Sequence, residues 1–187
     1  MKLSFFKKLS LSRKLIVGFM GTILLGTILL MFPAASTDGE SIGFLTALFT
    51  ITSAVCVTGL SVIDISKELT FTGQLIVLIF IQLGGLGVMT FSSFIFLLIG
   101  KRITYEEREL LKEERNVESS GGILKFLKKV IITIAVIEGI GAFFLAARFY
   151  QDMSLERAIY FGIFHSVSAF CNAGFSLFTN GLEGYVG

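Results

Sequence analysis

Phe49-Thr-Ile-Thr-Ser53-Ala-Val-Cys56-Val-Thr-Gly59-Leu-Ser61 returns 115 residues later as Phe164-His-Ser-Val-Ser168-Ala-Phe-Cys171-Asn-Ala-Gly174-Phe-Ser176. Six of the thirteen positions are identical, and both cysteines of the chain are among them. Three chemistries compete for such a pair of strings. Cys171 with His165 suggests a nucleophile and a base, but the two lie six residues apart in apolar surroundings. Neither an oxyanion donor nor a third group accompanies them, so an enzyme is not expected. One histidine and two cysteines cannot complete a four-ligand zinc site within the chain. The cysteines read as small buried hydrophobes rather than a disulfide, and His165 as a hydrogen-bonded packing residue. What remains is the backbone. A short polar loop with a glycine, held at membrane depth, can present carbonyl oxygens to a cation.

A cation leaving water needs replacement oxygens, and rings of backbone carbonyls supply them in potassium filters. Turning successive carbonyls toward one axis requires unusual backbone angles, which glycine adopts without steric cost. Slim neighbours such as Val57, Thr58 and Ala173 let several loops crowd one axis, while the polar Thr58 and Asn172 can hold their loops from behind. A helix that ends at the loop also points its negative dipole end there, which favours a cation over an anion.

Such loops need a membrane frame, and the composition supplies one. The 187 residues are 53% hydrophobic and 16% charged, with mean hydropathy +0.82 and one proline; soluble domains carry about 25% charged residues. Three apolar runs, 15–32, 71–100 and 130–147, are long enough to span a bilayer, which takes about 20 residues. Thirteen of the 16 basic residues fall in 1–14 or 101–129. The positive-inside rule places both segments in the cytoplasm, so the expected protein is multi-pass in the plasma membrane with its N-terminus inside. The run 15–32 exceeds a signal-peptide core and reads as a retained span. The 20 phenylalanines are assigned to lipid-facing and interhelical positions.

The expected organisation is a basic N-terminus (1–14), a first helix–loop–helix repeat (15–100), a cytoplasmic linker helix (101–122), and a second repeat (123–187) without its closing span. Residues 41–55 form about four helical turns, too short to cross a core about 30 Å thick, with Ser36 or Thr37 as possible caps. Both flanks of 41–70 are assigned outside, so this segment is expected to enter and leave by one face. Residues 153–170 repeat that half-helix. Irregular backbone at this depth survives only when buried in protein or lining a cavity. The run Gln82-Leu-Gly84-Gly85-Leu-Gly87 is read as helix packing or a bend. Glu138 is an acid within the third span, expected either to pack, paired with a base such as Lys129 or Arg148 or kept protonated, or to handle ions.

These strings resemble the Trk/Ktr/HKT superfamily of potassium and sometimes sodium transporters, most of all the bacterial Ktr/Trk membrane subunit. The likeness covers nearly the whole chain, from the basic N-terminus through Val55-Cys-Val-Thr-Gly59-Leu and Ile81-Gln-Leu-Gly-Gly-Leu-Gly87 to Phe170-Cys-Asn-Ala-Gly174-Phe. The resemblance implies an all-α polytopic membrane protein built of helix–pore-loop–helix repeats with re-entrant half-helices and Gly filter loops. It implies potassium uptake through a filter lined by carbonyls of Cys56, Val57, Thr58 and Gly59, and of Cys171, Asn172, Ala173 and Gly174. Glycine rather than serine in the first loop looks like the potassium-preferring pattern. Four repeats surround one pore in that family, and one and most of a second are present here. The chain is therefore expected to be the N-terminal portion of a longer transporter; the alternative is a non-conducting membrane protein or assembly partner. The implied partners are the lipid bilayer, a second copy of the full-length subunit, and a cytoplasmic nucleotide-binding ring docked on segments like 101–122, with no nucleic acid. No cofactor is expected; K+ is the transported ion and Na+ a possible activator.

Overall fold

The structure, a computed structural model, describes residues 11–87, 123–179 and 181–183. The basic stretch 1–10, the second half of the run 71–100, the linker 101–122 and the last four residues lie outside the described residues. The described chain is helical and contains no strand; one isolated antiparallel bridge joins Ser36 to Leu69.

Among the described residues six α-helices follow in order: α1 (Leu11–Leu30), α2 (Phe44–Val55), α3 (Ile65–Glu68), α4 (Phe71–Leu86), α5 (Ile123–Phe149) and α6 (Leu155–Phe170), with a 3₁₀ turn at Pro33–Ala35. Pro33 lacks an N–H and cannot continue α1, so the chain turns there. At about 1.5 Å per residue, α5 is roughly 40 Å long and α2 roughly 18 Å. Among the described residues, Lys128–Phe149 is the one helical stretch long and apolar enough to cross a membrane. Ile16–Leu30, Phe44–Val55 and Phe71–Leu86 are shorter apolar helices. α5 turns Ile132, Val136, Ile140, Phe143 and Phe144 outward. In water that stripe would be costly; in lipid it is neutral.

The two halves repeat one plan. α1 packs on α2 and α5 packs on α6, so each short helix lies against its longer predecessor. α4 sits between the halves and contacts α1, α2 and α6. Glycines set these approaches. A Cβ at Gly162 would strike the backbone of Ala142 and Ala146 on α5, and one at Gly26 would strike Ile51 and Phe80. The core joins both halves, from Leu30, Ile51, Val55, Val77 and Ile81 to Phe149, Phe164 and Leu177.

The half-helices begin later than the sequence suggests, at Phe44 and Leu155. Neither Ser36 nor Thr37 caps α2. Gly43 does so with φ 84°, and without a side-chain hydrogen bond. Thr37 instead donates its N–H to the Glu68 carbonyl (3.0 Å) and its hydroxyl to the Lys67 carbonyl (3.0 Å). Thr70 donates its N–H to Ala35 (2.9 Å) and its hydroxyl to Ala34 (2.7 Å). A polar clasp therefore closes the first repeat by tying the start of α4 to the end of α1.

Candidate functional site: two juxtaposed glycine loops

Each half-helix runs straight into its glycine loop, and the two junctions are hydrogen-bonded alike. Cys56, Val57 and Thr58 donate their N–H groups to Thr52 (2.8 Å), Ala54 (3.2 Å) and Ser53 (3.0 Å). Cys171, Asn172 and Ala173 donate theirs to Val167 (2.9 Å), Ala169 (3.0 Å) and Ser168 (2.8 Å), the positions 115 residues on. This is the Schellman closure, in which the two residues past the cap reach back to carbonyls of the last turn. It usually places glycine at the left-handed position. Here Val57 (φ 50°) and Asn172 (φ 57°) occupy it, and Gly59 (φ 72°) and Gly174 (φ 74°) are left-handed two residues later. Asparagine tolerates that region; a β-branched valine is an outlier there. Such strain persists only where surrounding structure imposes it.

The closure decides which backbone groups are already committed. The N–H groups of 56–58 and 171–173 are turned back onto the helices. Among the described residues, none of the carbonyls of 56–59 or 171–174 accepts a protein hydrogen bond. Two runs of uncommitted carbonyls thus follow two helix C-termini, where the dipole is negative. The runs also touch. A Cβ on Gly59 would overlap the Ala173 carbonyl oxygen and lie 3.2 Å from the Gly174 Cα, and one on Gly174 would lie 3.6 Å from the Gly59 Cα. All eight residues expected at the filter are thereby brought together as two adjacent loops.

The supports behind the loops differ. Thr58 donates its hydroxyl to Ser53 Oγ (2.9 Å), so it holds the first loop from behind. Asn172 makes no such side-chain bond among the described residues and is exposed; what its type contributes is tolerance of the left-handed backbone. Ser168 donates to the Phe175 carbonyl (2.7 Å) and takes the bracing role in the second loop. Cys56 is exposed and Cys171 buried. Cys171 Sγ lies 3.9 Å from Gln82 Oε1 and packs on Gly85, where any Cβ would strike it. His165 and Cys171 are thus committed to separate partners, since both His165 nitrogens bond to Phe161 and to residues 176–177.

Glu138 has neither Lys129 nor Arg148 as its partner. Gln82 Nε2 donates to its carboxylate (2.9 Å), and Ser166 donates to its backbone carbonyl (2.7 Å). Arg148 instead pairs with Asp152 one turn on (2.7 Å). Gln82 therefore links α5 to the second loop from within α4. On the other side of that cross-repeat contact, Tyr160 donates to Gln74 Oε1 (2.9 Å), and Gln74 Nε2 donates to the carbonyls of Ile65 and Leu69. The glycine run in α4 serves packing and ending at once: Gly84 lies against Val55 backbone, Gly85 against Cys171, and Gly87 stops the helix with φ 82°. An open cavity of about 430 Å³ adjoins both loops, lined by Gly59, Ser61, Asp64, Gly174, Ser176 and Thr179 among others. Asp64 caps α3 by accepting from Ser66, whose hydroxyl holds its carboxyl below the usual range.

The sequence profile of the family described as TrkH, cation transport protein, matches residues 11–187. The chain belongs to the TrkH family. It is accordingly an all-α membrane protein of a cation-transporting family, whose work is transport rather than catalysis. It is 40% identical over 176 residues to the potassium/sodium uptake protein NtpJ of Enterococcus hirae, covering 94% of this chain and 39% of that protein. It is 39% identical over 173 residues to the Ktr system potassium uptake protein B of Bacillus subtilis, covering 92% and 38%. The protein of the same name from Vibrio alginolyticus is 36% identical over 174 residues, covering 93% and 38%. The chain spans about two fifths of the length of these curated relatives.

Proposed function

We propose that this chain supplies two of the loops of a potassium-selective filter, in a subunit that takes potassium up across the plasma membrane. The observation that carries this reading is the pair of carbonyl runs at 56–59 and 171–174. They share one hydrogen-bond pattern and one sequence of left-handed residues, and they lie in contact. In this reading Cys56, Val57, Thr58 and Gly59 face Cys171, Asn172, Ala173 and Gly174 across part of one axis. In this reading K+ is the transported ion and Na+ a candidate activator. The NtpJ and Ktr names support potassium as the cargo. The re-entrant topology, with 1–14 and 101–122 cytoplasmic and both loops entering from outside, rests on the charge distribution. The full-length subunit pairs with a second copy, and the segment 101–122 offers the docking place for a cytoplasmic nucleotide-binding ring. Glu138 is assigned to packing through Gln82 rather than to ion handling.

Rubidium uptake in a potassium-uptake-deficient strain tests the filter. With Gly59→Ser or Gly174→Ser in the full-length gene, uptake should fall and sodium should compete better. Unchanged rate and selectivity in both would refute the assignment.

A second reading is favoured by the two-fifths coverage of the relatives. Two loops enclose only part of an axis, so these 187 residues alone form a non-conducting membrane protein. Purified protein in liposomes separates the two, because potassium-selective flux from the isolated chain would exclude the second.

A further inference from the structure

The two loops are alike where they leave their helices and unlike where they leave the filter. Past Gly174 the chain climbs through Phe175, Ser176, Leu177 and Phe178; past Gly59 it climbs through residues 60–63. In both limbs a serine accepts the N–H two residues on: Phe178 to Ser176 (3.0 Å) and Ile63 to Ser61 (3.3 Å). The serine's own proton then goes to different places. Ser61 donates to the Ile63 carbonyl within its own turn (2.8 Å) and is exposed. Ser176 lies 3.0 Å from His165 Nε2, inside the half-helix.

His165 is 4% exposed and boxed by the rings of Phe149, Phe161, Phe164 and Phe178, with centroids 5.0–5.9 Å away. Leu177 donates its N–H to Nε2 (3.3 Å), and a backbone N–H can only donate. Nε2 is therefore an acceptor, the ring proton sits on Nδ1, and it is given to the Phe161 carbonyl (2.8 Å). Ser176 donates to the same Nε2. One neutral ring thus ties two consecutive residues of the outer limb to the buried face of α6, and Ser168 ties a third, Phe175. The corresponding position in the first repeat is Thr50. It is fully buried, and its hydroxyl has no hydrogen-bond partner among the described residues. Among the described residues the first limb has no equivalent brace.

We propose that His165 is a positioning residue for selectivity. Held as the Nδ1–H tautomer, it fixes residues 175–177 and so sets where the carbonyls of 171–174 stand, a job the first loop does without. The inference rests on the filter reading of those carbonyls. Sodium asks the oxygens to close further than potassium does, so a loop freed at its outer end loses discrimination before it loses conduction.

The test uses the full-length gene, with rubidium uptake and sodium competition, and the amount of protein in the membrane measured alongside. His165→Phe fills the aromatic box and removes the acceptor. It should cut the preference for rubidium over sodium by about tenfold, the factor of 1.4 kcal/mol, with a smaller change in maximal rate. His165→Gln restores an acceptor and should recover most of the preference; a packing role alone would favour Phe over Gln. A wild-type ratio in His165→Phe overturns the proposal, and so does a Gln variant no better than Phe. If His165→Phe fails to accumulate, Ser176→Ala decides against Ser61→Ala: both delete a serine that accepts the N–H two residues on, and only the first also deletes the bond to His165. A lower ratio in Ser176→Ala than in Ser61→Ala supports the brace and equal ratios refute it. Gly174→Ala runs in parallel. A ratio that it leaves unmoved refutes the filter reading, and the proposal with it, whereas a moved ratio with an unmoved His165→Phe refutes the brace alone.

Discussion

Gly59→Ala isolates what contact between the loops is worth, because the chain carries its own control. Gly39 and Gly59 share φ 72°, so an alanine at either meets the same left-handed penalty, about 1–2 kcal/mol. Around Gly39 an added Cβ meets nothing within 4 Å, whereas around Gly59 it overlaps the Ala173 oxygen and crowds Gly174. Backbone cannot swing aside as a side chain can, so Gly59→Ala must push the two carbonyl runs apart. Both variants should therefore lose similar stability in detergent from backbone strain, with an added loss for Gly59→Ala. Only Gly59→Ala should lose selectivity. A displaced carbonyl that forfeits about 1.4 kcal/mol of discrimination lowers the rubidium-over-sodium ratio about tenfold. The assay is rubidium uptake under sodium competition by the full-length gene, with thermal unfolding of purified protein. Equal selectivity in Gly39→Ala and Gly59→Ala would refute the reasoning, since it would mean that contact between the loops has no bearing on the ion path.

Three further outcomes follow from the geometry. Val57→Gly should stabilise the fold by about 1 kcal/mol through relief of left-handed strain, while sodium exclusion worsens because the imposed angle is no longer enforced; thermal unfolding and uptake competition read the two effects. Glu138→Leu strips Gln82 of its acceptor and should cost about 1–3 kcal/mol, whereas Glu138→Gln keeps an acceptor oxygen and should stay near wild type in the same unfolding measurement. Asp64 lines the cavity beside both loops, and its carboxyl is held below the usual aspartate range because Ser66 donates to the charged form. Its contribution is present above the unfolded value and lost only as pH falls through the lower folded one, so the charge persists from pH 7 to pH 5. Asp64→Asn should raise the apparent KM for rubidium at low ionic strength across that whole range, and the effect should shrink as salt rises.

The loops were legible in the sequence because a repeat exposes what two copies share. Cys56, Gly59, Cys171 and Gly174 stand out by identity, and the half-helices by being apolar yet short. Partners across the repeats were not legible. Gln82 and Glu138 are 56 residues apart and carry no shared pattern, so the sequence offered the acid only bases such as Lys129 and Arg148, nine and ten residues away and out of reach on one helix, or a retained proton. A bilayer changes that choice: an amide satisfies a carboxyl at membrane depth without a second charge having to be desolvated. The bracing role of His165 left a trace that single-residue reading overlooks. In the aligned copies, a histidine stands where the first repeat has Thr50, and both limbs keep a serine eleven residues on, Ser61 and Ser176. A large polar ring replacing a small hydroxyl at a buried position implies a partner that the first copy lacks.

The physical logic of the site joins two features that appear unconnected in the sequence, the valine in a left-handed backbone and the glycine run of α4. Closing a half-helix with a Schellman turn consumes the N–H groups of the next three residues. Carbonyls alone are then left without a protein partner among the described residues, which in the proposed filter are the groups that face the cation, and the turn requires a left-handed residue at 57 and at 172. Glycine there would relax the turn and also free it. Valine and asparagine make the angle more costly to hold, so packing must impose it. Gly84 supplies that packing by letting α4 press on the Val55 backbone, and Gly85 by letting it press on Cys171. One helix thus bears on the last residue of α2 and on the first residue of the second loop, and the loops bear on each other at Gly59 and Gly174. Larger residues at 84 or 85 would lift α4 from both junctions together. The loss in Gly84→Leu should accordingly appear in the first loop's angles and in the second loop's contacts alike, which distinguishes a shared clamp from two independent supports.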